Sequence, residues 1–249
     1  MKKALKIIGI AAIVLIVGGY AFLSWNAEKS LSEALPEALA LVESDTAVTA
    51  TYDENWVVLK PNNVEPTVGV IVYPGAYCDV RGYGPLLRPM AEAGYLVIGA
   101  QMPFYFSIFA PNEADNIRAA FPEIEKWVIV GHSMGGAMAG MYGDNHRDDL
   151  AGIVFWDSYP PTSNDLSDIE IPVMHIHRAR PDGSLPQKFI DNAYLSPESA
   201  TWVGVPGGIH MYFGAFGEGV YEEEWEASIS SQAQWEIANA AMLDFLSKI

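Results

Sequence analysis

The sequence predicts an α/β fold: a mostly parallel central sheet with helices on both faces, preceded by an amino-terminal transmembrane helix. Three observations predict it. Short continuous apolar runs of strand length alternate with helix-length segments from residue 47 to the end. Half of the residues are apolar, enough for a sizeable core. A length of 249 residues is ordinary for a single layered α/β domain. Uninterrupted apolar strands belong to sheets covered on both faces, and such sheets carry their chemistry at the carboxyl ends of the strands.

The elements follow in chain order. Lys2, Lys3 and Lys6 precede an uncharged stretch from Ile7 to Ala27. As a helix rising ~1.5 Å per residue, this stretch spans a hydrocarbon layer of ~30 Å. The lysines suit the cytoplasmic side and Trp25 the opposite interface. An uncleaved signal anchor over residues 1–27 is the favoured reading. The alternative is a signal peptide cut after Ala21, which would release the protein as a secreted one. Either reading puts the rest of the chain outside the cytoplasm. Residues 28–45 are helix-prone and polar on one side, a stalk or docking helix. Residues 46–249 form the globular domain.

Within that domain, Ala47–Tyr52 and Trp56–Leu59 predict a hairpin turned by Asp53-Glu54-Asn55. Val68–Tyr73, Tyr95–Ala100 and Trp127–Val130 predict buried strands. Helices are expected near Tyr83–Ala93, stopped by Gly94, and at Glu113–Ala120 and Gly135–His146. Gly152–Trp156, Val173–His177 and Thr201–Val205 are further strands, and Ser228–Lys248 is a long amphipathic helix.

The net charge is −17, from 31 acidic and 14 basic residues. Such a surface repels phosphate backbones, which argues against a nucleic-acid partner. A single cysteine, Cys78, excludes an internal disulfide and reads as a small packed thiol.

The chemistry is announced by Gly131-His132-Ser133-Met134-Gly135, a G-x-S-x-G sequence with a predicted strand before it and a predicted helix after it. That setting places a serine on a tight strained turn, its hydroxyl raised above the sheet edge and a helix amino terminus beside it. In these residues the chain resembles the α/β-hydrolase superfamily, and within it a small cap-less group similar to dienelactone hydrolases and simple esterases. The stretches VGVIVYPGAYCDVRGYGPLLRPMAEAGYLVIGAQMP and GGIHMYFGAFG resemble that group as well. Dienelactone hydrolases proper usually carry cysteine at the elbow. Serine stands there in this chain, so that particular activity is not implied.

The resemblance implies a serine hydrolase acting on a small-molecule acyl substrate, with no cofactor. Ser133 is the expected nucleophile, and the chain order of the superfamily is nucleophile, acid, histidine. His210 follows the last strand in a glycine-rich loop and is the expected base. Asp182, in the loop after the His175–His177 strand, is the favoured acid; Asp157, at the end of the preceding strand, is its rival. The amide of Met134 should supply one oxyanion donor. By resemblance the other is Ala76, with Tyr77 as second choice. Tyr77, Phe104, Trp156 and Met211 are candidates for an apolar substrate pocket. His175 and His177 share a strand face, but no carboxylates or cysteines complete a metal site, and His146 reads as a helix cap. The bond cleaved is expected to be a carboxylic ester, with thioester, lactone and amide left open. A catalytically silent binding domain on the same fold is the rival from a different class.

Overall fold

The computed structural model describes residues 2–53 and 55–249, and of residues 2–11 the backbone alone. Glu54, one of the three expected turn residues of the first hairpin, lies outside the described residues. Among the described residues the strands form one eight-stranded sheet in the order β1-β2-β4-β3-β5-β6-β7-β8. The hairpin of β1 (Val48–Tyr52) and β2 (Trp56–Pro61) is antiparallel, and β2 runs antiparallel to β4 (Leu96–Ala100). From β4 onward all pairings are parallel, through β3 (Val68–Tyr73), β5 (Lys126–His132), β6 (Gly152–Trp156), β7 (Val173–Ala179) and β8 (Thr201–Pro206).

Two cores lie on opposite faces of this sheet. On one face, Val70 and Val72 of β3 pack with residues of α3 (Gly84–Glu92) and α7 (Ser231–Leu246). On the other, Ile71 and Tyr73 of the same strand pack with α4 (Glu113–Ala120) and α5 (Met134–Asn145). The switch of face at every residue is the period-two geometry of a strand. Because both faces are covered, β3, β4 and β6 read as unbroken apolar runs. Each fully buried aliphatic side chain contributes about 1.5–3 kcal/mol.

The expected elements form, with shifted ends. Gly94, at φ 103°, closes α3 as its sequence position suggested. α7 starts at Ser231 rather than Ser228, because the Ser230 hydroxyl caps it by accepting from the Ala233 amide at 3.1 Å. A short helix, α6 (Gln187–Asn192), had no forerunner in the sequence reading.

The amino-terminal region is built onto the domain rather than standing apart from it. α1 covers Lys2–Ser30, with Ile13–Val17 and Phe22 exposed. Ser32 then bridges to Cys78 and Ala34 to Phe216. The Ser32 amide donates to the Tyr77 carbonyl at 2.7 Å, and the Ser32 carbonyl accepts from the Asp79 amide at 3.1 Å. α2 (Pro36–Leu41) packs on α3 so closely that a Cβ on Gly84 would lie 2.4 Å from the Ala38 carbonyl. The expected spanning stretch Ile7–Ala27 begins in residues whose side chains lie outside the described set. Among the described residues no helix is long and apolar enough to cross a membrane.

Candidate active site

Ser133 sits between β5 and α5 with φ 54° and ψ −121°, a conformation L-residues rarely adopt. The glycines around it are required by contact. A Cβ on Gly131 would lie 2.3 Å from the Gly135 carbonyl, and one on Gly135 would lie 2.3 Å from the Tyr73 carbonyl. The turn is fastened through its backbone: the Ser133 amide donates to Trp156 O at 3.1 Å, and its carbonyl accepts from the Ser158 hydroxyl at 2.6 Å. The Ser133 side chain makes no capping bond to α5, which leaves its hydroxyl free. It lines a cavity of about 180 Å³ together with Ala76, Tyr77, His132, His210 and Met211.

His210 is buried in the turn His210–Phe213 that follows β8. Its Nδ1 lies 2.5 Å from Oδ2 of Asp157. With Nδ1 so engaged, Nε2 is the ring nitrogen that does not face the aspartate. Glu223 holds the backbone here, accepting from the amides of His210 at 3.0 Å and Met211 at 2.7 Å. The Tyr221 ring stacks on the imidazole at 4.1 Å.

The structure brings Asp157, and not the favoured Asp182, to His210. Asp182 is exposed, and its carboxylate accepts from the Ser184 amide at 2.9 Å within a turn closed by Gly183 at φ 83°. Those hydrogen bonds from Ser184 hold its carboxyl below the ordinary range. Pro181-Asp182-Gly183 is turn chemistry, and the turn carries the carboxylate away from the imidazole. Asp157, the rival, ends β6 at φ 47° and is fully buried against His210. Its carboxylate also accepts from the Arg178 amide at 2.9 Å and is paired with the Arg178 guanidinium. Burial pushes the Asp157 carboxyl up, but the His210 hydrogen bond and charge, with Arg178, outweigh it and hold the group well below the usual range.

Arg178 escaped the sequence reading. It is fully buried on β7, donates to Glu224 at 2.7 Å, and lies over the Trp225 ring at 5.2 Å. An arginine inside the otherwise uncharged strand VMHIHRA was the available signal, because a buried guanidinium requires a carboxylate partner.

A second buried chain of bonds joins the loop after β3 to the elbow. The Gly75 amide donates to the Tyr83 hydroxyl at 2.8 Å, and that hydroxyl lies 2.7 Å from His132 Nδ1. Burial, then the neighbouring His210, holds His132 well below its ordinary pKa. The His132 and His210 rings lie 4.4 Å apart.

Of the expected oxyanion donors, Tyr77 is excluded, since its amide donates to Tyr105 O at 2.8 Å. Ala76 keeps its place beside Ser133, and the Met134 amide opens α5. Two pocket assignments are corrected. Trp156 is wholly buried beneath the sheet edge, near Tyr83 and Phe213, and does not line the Ser133 cavity. Phe104 belongs to a neighbouring cavity against α1. Cys78 is buried, and desolvation pushes its thiol up to about 12. His175 is clasped between Phe155 and Trp202, the latter ring 3.9 Å away, and burial lowers its pKa to about 3. His146 Nδ1 lies 2.9 Å from Tyr142 O at the end of α5, as a helix cap should. Among the described residues no group of three His, Cys, Asp or Glu is placed to hold a metal ion.

Comparison with known proteins places the fold. No curated protein matches the chain in sequence. A carboxylesterase from Bacillus subtilis is similar in structure over 93% of this chain and 99% of its own, at 10% identity and a TM-score of 0.59. The naproxen esterase of the same organism covers 91% of this chain and 98% of its own, at 10% identity and a TM-score of 0.58. A protein described as a dienelactone hydrolase from Klebsiella pneumoniae gives 83% and 98%, at 16% identity and a TM-score of 0.58. At such identities these likenesses speak to the fold. The model of the alpha/beta hydrolase family matches residues 69–236, well over half of the sequence and both sides of the Ser133 cavity, and the chain belongs to that family.

Proposed function

We propose that the chain is a serine hydrolase that cleaves a carboxylic ester through an acyl-enzyme on Ser133. One observation carries this reading: a serine strained onto a strand-to-helix turn shares a cavity with a histidine whose far nitrogen is tied to a buried aspartate. His210 Nε2 takes the Ser133 proton as Oγ bonds to the substrate carbonyl carbon. Asp157 holds the imidazole in the tautomer this needs and offsets the charge it gains. The amides of Ala76 and Met134 receive the oxygen that becomes negative. Collapse of the tetrahedral species expels the alcohol, which leaves with the proton from His210. Water, deprotonated by the same base, then releases the acid and restores Ser133.

The catalytic cavity is small. Its 180 Å³ falls short of the ~300 Å³ at which drug-sized pockets begin, and suits a short acyl group. Ser133→Ala should reduce turnover of p-nitrophenyl acetate by at least ~10³-fold with the fold intact. Undiminished turnover in that variant contradicts the reading. A catalytically silent domain would show no turnover in the unmodified protein either.

We also propose that the domain lies outside the cytoplasm, attached to a membrane through Ile7–Ala27. The basic residues before that stretch and the exposed apolar side chains from Ile13 to Val17 support this. Cell fractionation followed by external protease tests it. Release of a soluble form beginning near Phe22 would mean signal cleavage instead.

A further inference from the structure

The loop after β3 commits nearly all of its amides. The Gly75 amide donates to the Tyr83 hydroxyl at 2.8 Å, the Tyr77 amide to Tyr105 O at 2.8 Å, the Cys78 amide to Gly75 O at 3.3 Å and the Asp79 amide to Ser32 O at 3.1 Å. Pro74 has no amide hydrogen to give. Among the described residues that leaves the amide of Ala76, which stands beside Ser133 in the catalytic cavity. The placement of the loop is therefore what aims this donor.

Three of these bonds go to backbone carbonyls. The fourth goes to a side chain, and that side chain reaches the elbow. The Tyr83 hydroxyl lies 2.7 Å from Nδ1 of His132, the residue just before Ser133. Both rings are fully buried. Phe216 meets the Tyr83 ring edge-on at 5.1 Å and Trp156 stacks on it at 6.2 Å, so the hydroxyl has little freedom. Burial raises the Tyr83 pKa well above its ordinary value, so the hydroxyl keeps its proton. Gly75 is pressed against the same imidazole, where a Cβ would lie 2.8 Å from His132 Nδ1. His132 is a costly residue for a core position, because its Nε2 is buried without a partner. An apolar side chain would avoid that cost, but it could not engage the Tyr83 hydroxyl.

We propose that Tyr83 is a positioning residue of the hydrolytic reaction: braced on His132, its hydroxyl fixes the Gly75–Ala76 peptide so that the Ala76 amide meets the oxygen that becomes negative. The proposal rests on the reading of Ser133 as nucleophile and deepens it. Tyr83 does not line the catalytic cavity and so acts through the loop, not on the substrate. One hydroxyl ties the loop and the elbow together, and donor and nucleophile cannot drift apart. Its effect falls on the transition state, because a preorganised donor counts most where charge develops.

Tyr83→Phe in the full-length chain keeps the ring and removes the bridge. With p-nitrophenyl acetate, and active sites counted by fluorophosphonate titration, kcat should fall about 10–100-fold while KM stays within about threefold. A methyl trifluoromethyl ketone gives a second readout. Ser133 Oγ adds to its carbonyl carbon, the proton passes to His210, and the adduct carries a negative oxygen in the same hole. Its affinity should fall by a factor similar to that in kcat. A role in packing alone would lower the urea midpoint and leave kcat per active site and ketone affinity unchanged. That result overturns the proposal, and so does a loss confined to KM. If Tyr83→Phe does not fold, Gly75→Ala decides. Its Cβ wedges the loop off the His132 ring with Tyr83 intact, and it should show the same paired loss. Unchanged kcat and ketone affinity in that variant overturn the proposal. Failure of the underlying reading looks different: no Ser133-dependent turnover by the unmodified chain.

Discussion

The Ser133 turn is held by backbone sterics, whereas the Asp157–His210 half of the site is held by buried charge. In the turn, carbonyls of residues 73 and 135 leave no room for a Cβ at Gly135 and Gly131, and the strained angle follows from that packing. In the other half, β6, β7, the His210 turn and the segment carrying Glu223 and Glu224 each supply one part of an ionic and hydrogen-bonded cluster. Sterics demand given residue types at fixed spacing. A charge cluster demands only that partners from distant segments meet. The first leaves a motif in the sequence and the second does not.

The two aspartates give the largest expected effect. Asp157→Asn should lower kcat on p-nitrophenyl acetate by about 10⁴-fold, because the base loses its tautomer control, while Asp182→Asn stays within about twofold. Equal losses in the two variants would dissolve the contrast between a buried acid and a turn residue.

Arg178→Met should rank next. It leaves Asp157 without its guanidinium, and breaking a buried pair costs about 3–5 kcal/mol, read as a lowered urea midpoint. An unaltered midpoint would mean that the acid half is not held by charge. Gly135→Ala tests the opposite half. Its Cβ collides with backbone rather than with a yielding side chain, so overpacking of about 1–3 kcal/mol should appear together with lost activity. A stable, active alanine variant would show that sterics do not fix the turn.

The smallest effect is distributed over pH. His132, His175 and His177 are all pushed below the ordinary imidazole pKa, chiefly by burial. The unfolded chain therefore binds protons that the folded one does not as pH falls below about 6.5, and stability drops by up to about 1.4 kcal/mol per pH unit for each group. Asp157 adds to the same trend lower down, since its stabilisation is present above about pH 3.9 and is lost below it. Urea unfolding between pH 7.5 and 5 should show the decline. A flat profile would mean that these rings are not buried in the neutral form.

The same contrast explains what the sequence made legible. Strands covered on both faces appear as apolar runs, so β3 to β6 could be read directly. Ser133, His210 and Ala76, which line one cavity, were legible from their loops at strand ends. Which aspartate meets His210 was not legible, because both follow strands and choosing between them needs the direction of a side chain. Asp157 ends its strand directly under the imidazole, while the Pro-Asp-Gly turn points Asp182 outward. Trp156 and Phe104 failed for the same reason: position after a strand does not say which cavity a ring enters. The role of residues 26–35 as part of the site wall rests on contacts with Tyr77, Asp79 and Ala215, more than forty positions away, and no local pattern encodes them.

The central claim is that Ser133 is the nucleophile, and the most direct measurement is the site of covalent capture. The full chain would be treated with a fluorophosphonate and its peptides mapped by mass. The account predicts one phosphonyl group, carried by Ser133, with labelling abolished in Ser133→Ala and slowed by orders of magnitude in Asp157→Asn. A label on any other residue, or none on a folded protein that turns over esters, would contradict it.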